Sequence, residues 1–119
     1  MGYSTVDVAE LEGEGPGGAV RKVRRAVGGR AFGFNYFTLP PGGEGRQHDH
    51  ASDGQEEVYF VVSGSGRMRI DDDEIELRRG TFVRVDGEST RMPIAGPEGL
   101  EFVTFGAPVG GGYQPPSWG

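Results

Sequence analysis

Cysteine is absent from this 119-residue chain, which excludes disulfides, thiolate metal sites and cysteine nucleophiles. The absence of disulfides fits a reducing interior. The stretch from Met1 to Gly15 is acidic and has no apolar core, so it does not read as a signal or transit sequence. The expectation is therefore a cytoplasmic protein. No apolar run approaches membrane-spanning length, and no membrane partner is expected. Basic charge is scarce as well. Twelve Lys and Arg stand against 18 Asp and Glu, and the net charge of -6 argues against a nucleic-acid partner. The one basic cluster, Arg21-Lys22-Val23-Arg24-Arg25, reads as a solvated edge strand whose charges deter aggregation. An anion-binding lip at a barrel mouth is the sharper alternative. Helical periodicity is missing too, since no segment sustains a period of 3.6 for three turns.

What the chain does have is glycine and proline, 23 and 8 of them, spread between short β-branched and aromatic runs. That arrangement reads as many turns joining many strands. The runs are Ala19–Val27, Ala31–Leu39, Gln47–Ala51, Glu57–Val62, Arg67–Asp71, Ile75–Leu77, Thr81–Val85, Thr90–Ala95 and Leu100–Phe105. Ser63-Gly64-Ser65-Gly66, Asp71-Asp72-Asp73 and Gly96-Pro97-Glu98-Gly99 read as turns between them. Strands this short need a closed or double-sheet architecture, because open edges aggregate. The length suits one domain that can bury a core without staples. Residues 1–18 read as an N-terminal segment able to add an edge strand, 19–109 as the barrel domain, and 110–119 as a Gly/Pro-rich C-terminal tail. Tyr113 and Trp118 suggest that the tail docks onto its own barrel or a neighbouring subunit.

The chain contains two histidines, His48 and His50, spaced so that a strand projects both from one face while Asp49 points away. Glu56 and Glu57 open the next strand. A hairpin that brings Glu57 to the pair makes a two-His-one-carboxylate face for a divalent ion, with positions left open for water, dioxygen or substrate. Such ligands suit iron, manganese, nickel or zinc. Two surface histidines on a polar strand are the plain alternative. Asp71-Asp72-Asp73-Glu74 lacks the Gly and Glu of a calcium loop and reads as a solvated turn. Ser63–Gly66 lacks the lysine and helix of a phosphate cradle.

Gly42, His48, His50, Glu57 and Gly64 resemble the first motif of the cupin superfamily, G-x5-H-x-H-x3,4-E-x6-G. Six residues separate His50 from Glu57 instead of three or four, and the extra length falls in the polar stretch Ala51–Gln55. The second motif, G-x5-P-x-G-x2-H-x3-N, begins at Gly80 but has decayed. Asp86 and Glu88 replace its proline and glycine, and Arg91 stands where the histidine that serves as fourth ligand would be. The resemblance implies an all-β double-stranded β-helix, or jelly-roll barrel, and a homodimer formed by sheet and strand exchange. It also implies that His48, His50 and Glu57 are metal ligands.

Arginine stays cationic and does not ligate metals. An inward Arg91 either grips an anionic substrate beside a metal or pairs with Glu57 in the ion's place; an outward one is irrelevant. Among the aromatics, Tyr59 joins Arg91 as a candidate substrate contact lining a small-molecule pocket. Two functions follow. One is a metal-dependent oxygenase or isomerase acting on a small polar or anionic molecule. The other is a non-catalytic, metal-free binding or sensing barrel in which Arg91 replaces the ion.

Overall fold

Two long antiparallel strands, β3 (Gln55–Ile70) and β6 (Arg91–Pro108), form the spine of the fold. The computed structural model describes residues 2–119, so Met1 of the N-terminal segment lies outside the described residues. Local turn chemistry suggests a break at Ser63–Gly66 and another at Gly96–Gly99, yet the chain reverses at neither. Instead the pairing slips between Val61 and Ser63 and again between Gly64 and Gly66. Bulges of this kind bend a strand without ending it. Glycine permits the approach: a Cβ on Gly64 would lie 2.1 Å from the Gly99 carbonyl oxygen, and one on Gly66 2.1 Å from that of Ile94. These two mergers, with Gln47–Ala51 forming no strand, turn the nine expected runs into a six-stranded sheet.

β2 (Gly33–Leu39) lies along β6 from Gly33↔Gly106 to Leu39↔Leu100, and β1 (Val20–Arg21) pairs with β2. β4 (Asp73–Arg78) returns along β3 after the expected hairpin turn, where Asp71 takes a φ of 51°. Aspartate tolerates that left-handed conformation. β5 (Phe82–Val85) pairs with the first part of β3, from Glu57↔Val85 to Phe60↔Phe82.

The sheet order is β1-β2-β6-β3-β4, with β5 also on β3. This corrects the expected jelly-roll barrel: the fold is all-β and antiparallel, but the sheet is open, and its end strands β1 and β4 do not pair. β1 has only two residues. The segment carrying the histidines, expected as a strand, contributes only the isolated bridges Glu44↔Ile94 and His48↔Arg91. The register slips by one residue between those bridges, so no ladder grows there.

The expected strand Ala19–Val27 is likewise broken, by the short helix α1 (Val23–Val27) that follows β1. The helical turn buries Arg24, which donates to the carbonyls of Gly29 (2.8 Å) and Gly119 (3.2 Å). Lys22 bonds the Trp118 carbonyl, and Arg25 pairs with Glu14 at 2.8 Å. Only Arg21 of the basic cluster lies in the end strand β1; the cluster is neither solvated throughout nor an anion lip, and it binds the chain's own carbonyls and Glu14. Residues 110–119 dock against their own chain through these contacts.

Alternation along the strands sorts the side chains. The inward row Phe37↔Phe102↔Val61 carries a stacked pair, Phe37 and Phe102, with ring centroids 4.9 Å apart. Leu39, Leu100, Met68 and Leu77 continue this core across the bend. The outward row Tyr36↔Val103↔Phe60↔Phe82 leaves Phe82 exposed, and Phe105 in the next outward row, Phe34↔Phe105↔Val58, is exposed as well. Among the described residues, no helix is long and apolar enough to cross a membrane.

Candidate metal centre

Glu57, Tyr59 and Val61 share the inward face of β3 by strand parity. Glu57 sits opposite Val85 on one side and Gly106 on the other. His48 and His50 arrive on the irregular segment before β3, which is pinned to the start of β6. His48 and Arg91 exchange backbone hydrogen bonds of 3.0 and 2.9 Å, and His50 N–H donates to Gly87 O at 2.8 Å. The two imidazoles therefore aim inward together, with ring centroids 5.1 Å apart.

His48 Nε2 lies 3.6 Å from Glu57 Oε1, and His50 Nε2 lies 3.7 Å from Oε2. Both distances are too long for hydrogen bonds. The other ring nitrogens are occupied: His48 Nδ1 faces the Arg46 carbonyl at 3.0 Å, and His50 Nδ1 faces both Asp53 carboxylate oxygens at 3.2 Å. These acceptors assign the proton of each neutral ring to Nδ1, which leaves the Nε2 lone pairs turned toward Glu57. Metal-binding histidines are oriented in this way by a second partner. His50 Nε2 and Glu57 Oε1 are also buried without a hydrogen-bond partner. One ligand atom from each of His48, His50 and Glu57 lies within 4.8 Å of the others. The cluster can coordinate a divalent ion, and its donor set fits iron, manganese, nickel or zinc.

Arg91 is fully buried, which removes the solvent-facing alternative. Its Nε lies 3.9 Å from Glu57 Oε1, and its Nη2 donates to the Asp86 carbonyl at 3.0 Å. Nε and Nη1 find no hydrogen-bond acceptor, and the buried Tyr59 hydroxyl has no partner either. Burial first, and then the negative charge of Glu57, pushes the Tyr59 phenol far above its ordinary range. Tyr59 therefore stays protonated and able to donate.

Two further residues carry no sequence signal that singled them out. Asp53, which orients His50, lies in the stretch that lengthens the His50–Glu57 spacing; a carboxylate three residues past a histidine in a turn is the only local hint. Asn35 falls in the inward row Asn35↔Thr104↔Tyr59, with its Oδ1 buried and unpartnered. An open groove of about 440 Å³ lined by Phe32, Phe105 and Val109 lies elsewhere and brings together no such donor set.

Burial alone would raise the Glu57 carboxyl, but His48, His50 and Tyr59 together outweigh it and hold Glu57 well below the carboxylate range. His50 is raised by the Glu57 carboxylate, against burial, with Asp53 adding to the rise. A raised histidine stabilises the metal-free fold fully below its unfolded pKa of about 6.5, and that contribution fades as pH climbs through the folded value. A metal ion needs the ring deprotonated. The rise in melting temperature on adding zinc is therefore expected to be small near about pH 5.5 and to grow toward about pH 8.5. Paired melts across that range check it; a rise that is flat or larger in acid contradicts it.

The fold and the site together define a cupin. A family model described as the cupin domain matches residues 35–103, more than half the chain, and the chain belongs to that family. Its relatives include the dimethylsulfoniopropionate lyase DddW of Ruegeria pomeroyi, 37% identical over 62 residues. That match takes in 52% of this chain but 39% of the lyase, so the chain spans well under half of that relative. A cupin protein from Bacteroides fragilis superposes with a TM-score of 0.78 at 24% identity, covering 96% of this chain and 92% of its own. A predicted oxalate decarboxylase from Thermotoga maritima gives 0.71 at 20% identity, covering 87% and 97%. At these identities the structural matches speak to the fold.

Proposed function

We propose that the chain is a metal-dependent enzyme in which His48, His50 and Glu57 hold one divalent ion and Arg91, with Tyr59, binds a small polar or anionic substrate. The observation that carries the reading is the pair of occupied Nδ1 atoms. It leaves two lone pairs and a carboxylate facing one point, at separations that no hydrogen bond explains. When bound, the ion supplies Lewis-acid polarisation of a coordinated oxygen. Around it, Asp53 and the Arg46 carbonyl keep the imidazoles in place, Arg91 holds a negative group, and Tyr59 donates a hydrogen bond.

Oxygenase, isomerase and lyase chemistry all fit three protein ligands with open positions. The lyase is favoured by the DddW relative, whose named substrate is a propionate and so carries the anionic group that Arg91 would hold. The exposed aromatics of the outer sheet face offer apolar surface for the expected homodimer, and the net charge of -6 argues against a nucleic-acid partner.

The close approach of Arg91 to Glu57 favours a second reading, a metal-free binding site in which the guanidinium replaces the ion. Elemental analysis separates the two. The purified protein, as isolated or after supply of iron, manganese, nickel or zinc at micromolar concentration, is expected to hold about one equivalent of metal per chain. Uptake of none of the four metals would leave the metal-free reading.

A further inference from the structure

We infer that this site binds its metal and a small carboxylate anion as a coupled pair, each tightening the other, because Arg91 leaves the loaded cluster short of negative charge. The inference rests on the metal reading above and adds what the ion must bind with.

The charge count decides it. Inside the cluster stand one acid, Glu57, and one base, Arg91, with both histidines neutral as ligands. Their charges cancel, so a divalent ion adds two positive charges that no buried group balances. At the rim, Asp53 lies against His50, and Arg46 is opposite in sign and acts on Tyr59; these two cancel as well. Asp86 lends Arg91 only its carbonyl, since its carboxylate accepts from the backbone N–H groups of Glu88 and Ser89. Glu56 pairs with Arg84 at 3.1 Å and both side chains are well exposed.

Arg91 cannot relieve the excess by losing its proton. In a site shielded from water, like charges at short range repel strongly. The metal alone is therefore held less tightly than the metal with an anion, and an anion alone meets Glu57. Together they balance. The donors for such an anion are present: Arg91 Nε and Nη1 and the Tyr59 hydroxyl are buried and have no hydrogen-bond partner. A carboxylate suits them, because its two planar oxygens match the guanidinium fork and can also serve an open position on an ion. By linkage, whatever factor acetate adds to metal affinity, metal adds to acetate affinity.

The test is the affinity for zinc, read by competition with a chromophoric chelator, with acetate titrated in at constant ionic strength. Saturating acetate is expected to tighten zinc binding by about tenfold or more. Arg91→Gln is expected to bind zinc without acetate at least as tightly as the wild type, and to lose the acetate dependence. Arg91→Lys keeps the charge and is expected to retain part of that dependence, which covers the case in which the glutamine variant does not fold. Zinc affinity that ignores acetate in the wild type overturns the coupling and leaves the metal reading intact. Weaker zinc binding by a folded Arg91→Gln also overturns it, since Arg91 would then support the ion. No zinc binding with or without acetate removes the metal reading itself.

Discussion

Glu57→Ala is expected to abolish uptake of a divalent metal and to destabilise the metal-free protein by about 3 kcal/mol. The two losses have one cause. Glu57 is the one carboxylate inside the cluster and is held ionised by its neighbours. It is also the counter-charge 3.9 Å from Arg91, which is fully buried. Without it, two neutral imidazoles are left to hold the ion beside a permanent cation. In the metal-free protein, the same deletion leaves a guanidinium buried with no anion, and breaking a buried pair from one side typically costs this much. Glu57→Ala combined with Arg91→Met removes both charges and is expected to recover most of the stability but none of the metal binding. Urea denaturation of metal-free protein and metal content after reconstitution measure the two effects. A stability loss below about 1 kcal/mol would mean that Arg91 is balanced elsewhere. Retention of a full equivalent of metal would remove Glu57 from the ligand set.

The histidine pair was legible because its geometry is local: two residues apart in an extended chain, they face the same way whether or not a ladder forms. Glu57 was legible from spacing, and Arg91 from its place in the second motif. That Arg91 lies wholly inside depends on its backbone exchange with His48, which no local pattern encodes. Asp53 looked like turn chemistry and is so, accepting from the Gln55 N–H at 3.2 Å while also holding His50. The fold was legible as all-β and as a cupin, but the closed barrel expected from the short strands is an open sheet. Residues 63–66 carry every mark of a turn, and only the backbone opposite them shows a bend within one strand. The basic cluster was misread for a similar reason. Its helical turn is held by contacts from Arg24 and Lys22 to residues almost a hundred positions away.

That bend sets up the second large effect: Gly64→Ala is expected to cost about 3 kcal/mol, with no contact to the site. Gly64 sits at φ 80°, where a side chain costs about 1 kcal/mol for conformation alone. Its new Cβ would also meet the Gly99 carbonyl oxygen at 2.1 Å and the carbonyl carbon at 2.8 Å. Those atoms are backbone, and they cannot withdraw without opening the Gly64↔Leu100 pairing that crosses the bend. Gly99 has little room of its own, since a Cβ there would lie 3.0 Å from the Leu39 carbonyl oxygen, and it takes a φ of 80°. Overpacking of this kind adds about 2 kcal/mol. Gly42→Ala is the control: its φ is 71°, but nothing lies within 4 Å of the added carbon. It should lose only the conformational part, about 1 kcal/mol. Urea midpoints of the two variants, read at equal m-values, separate strain from collision. If Gly64→Ala lost no more than Gly42→Ala, β6 would be yielding at Gly99. The bend would then be set by the longer stretch between Ala95 and Leu100, and the close approach at Gly64 would merely follow from it.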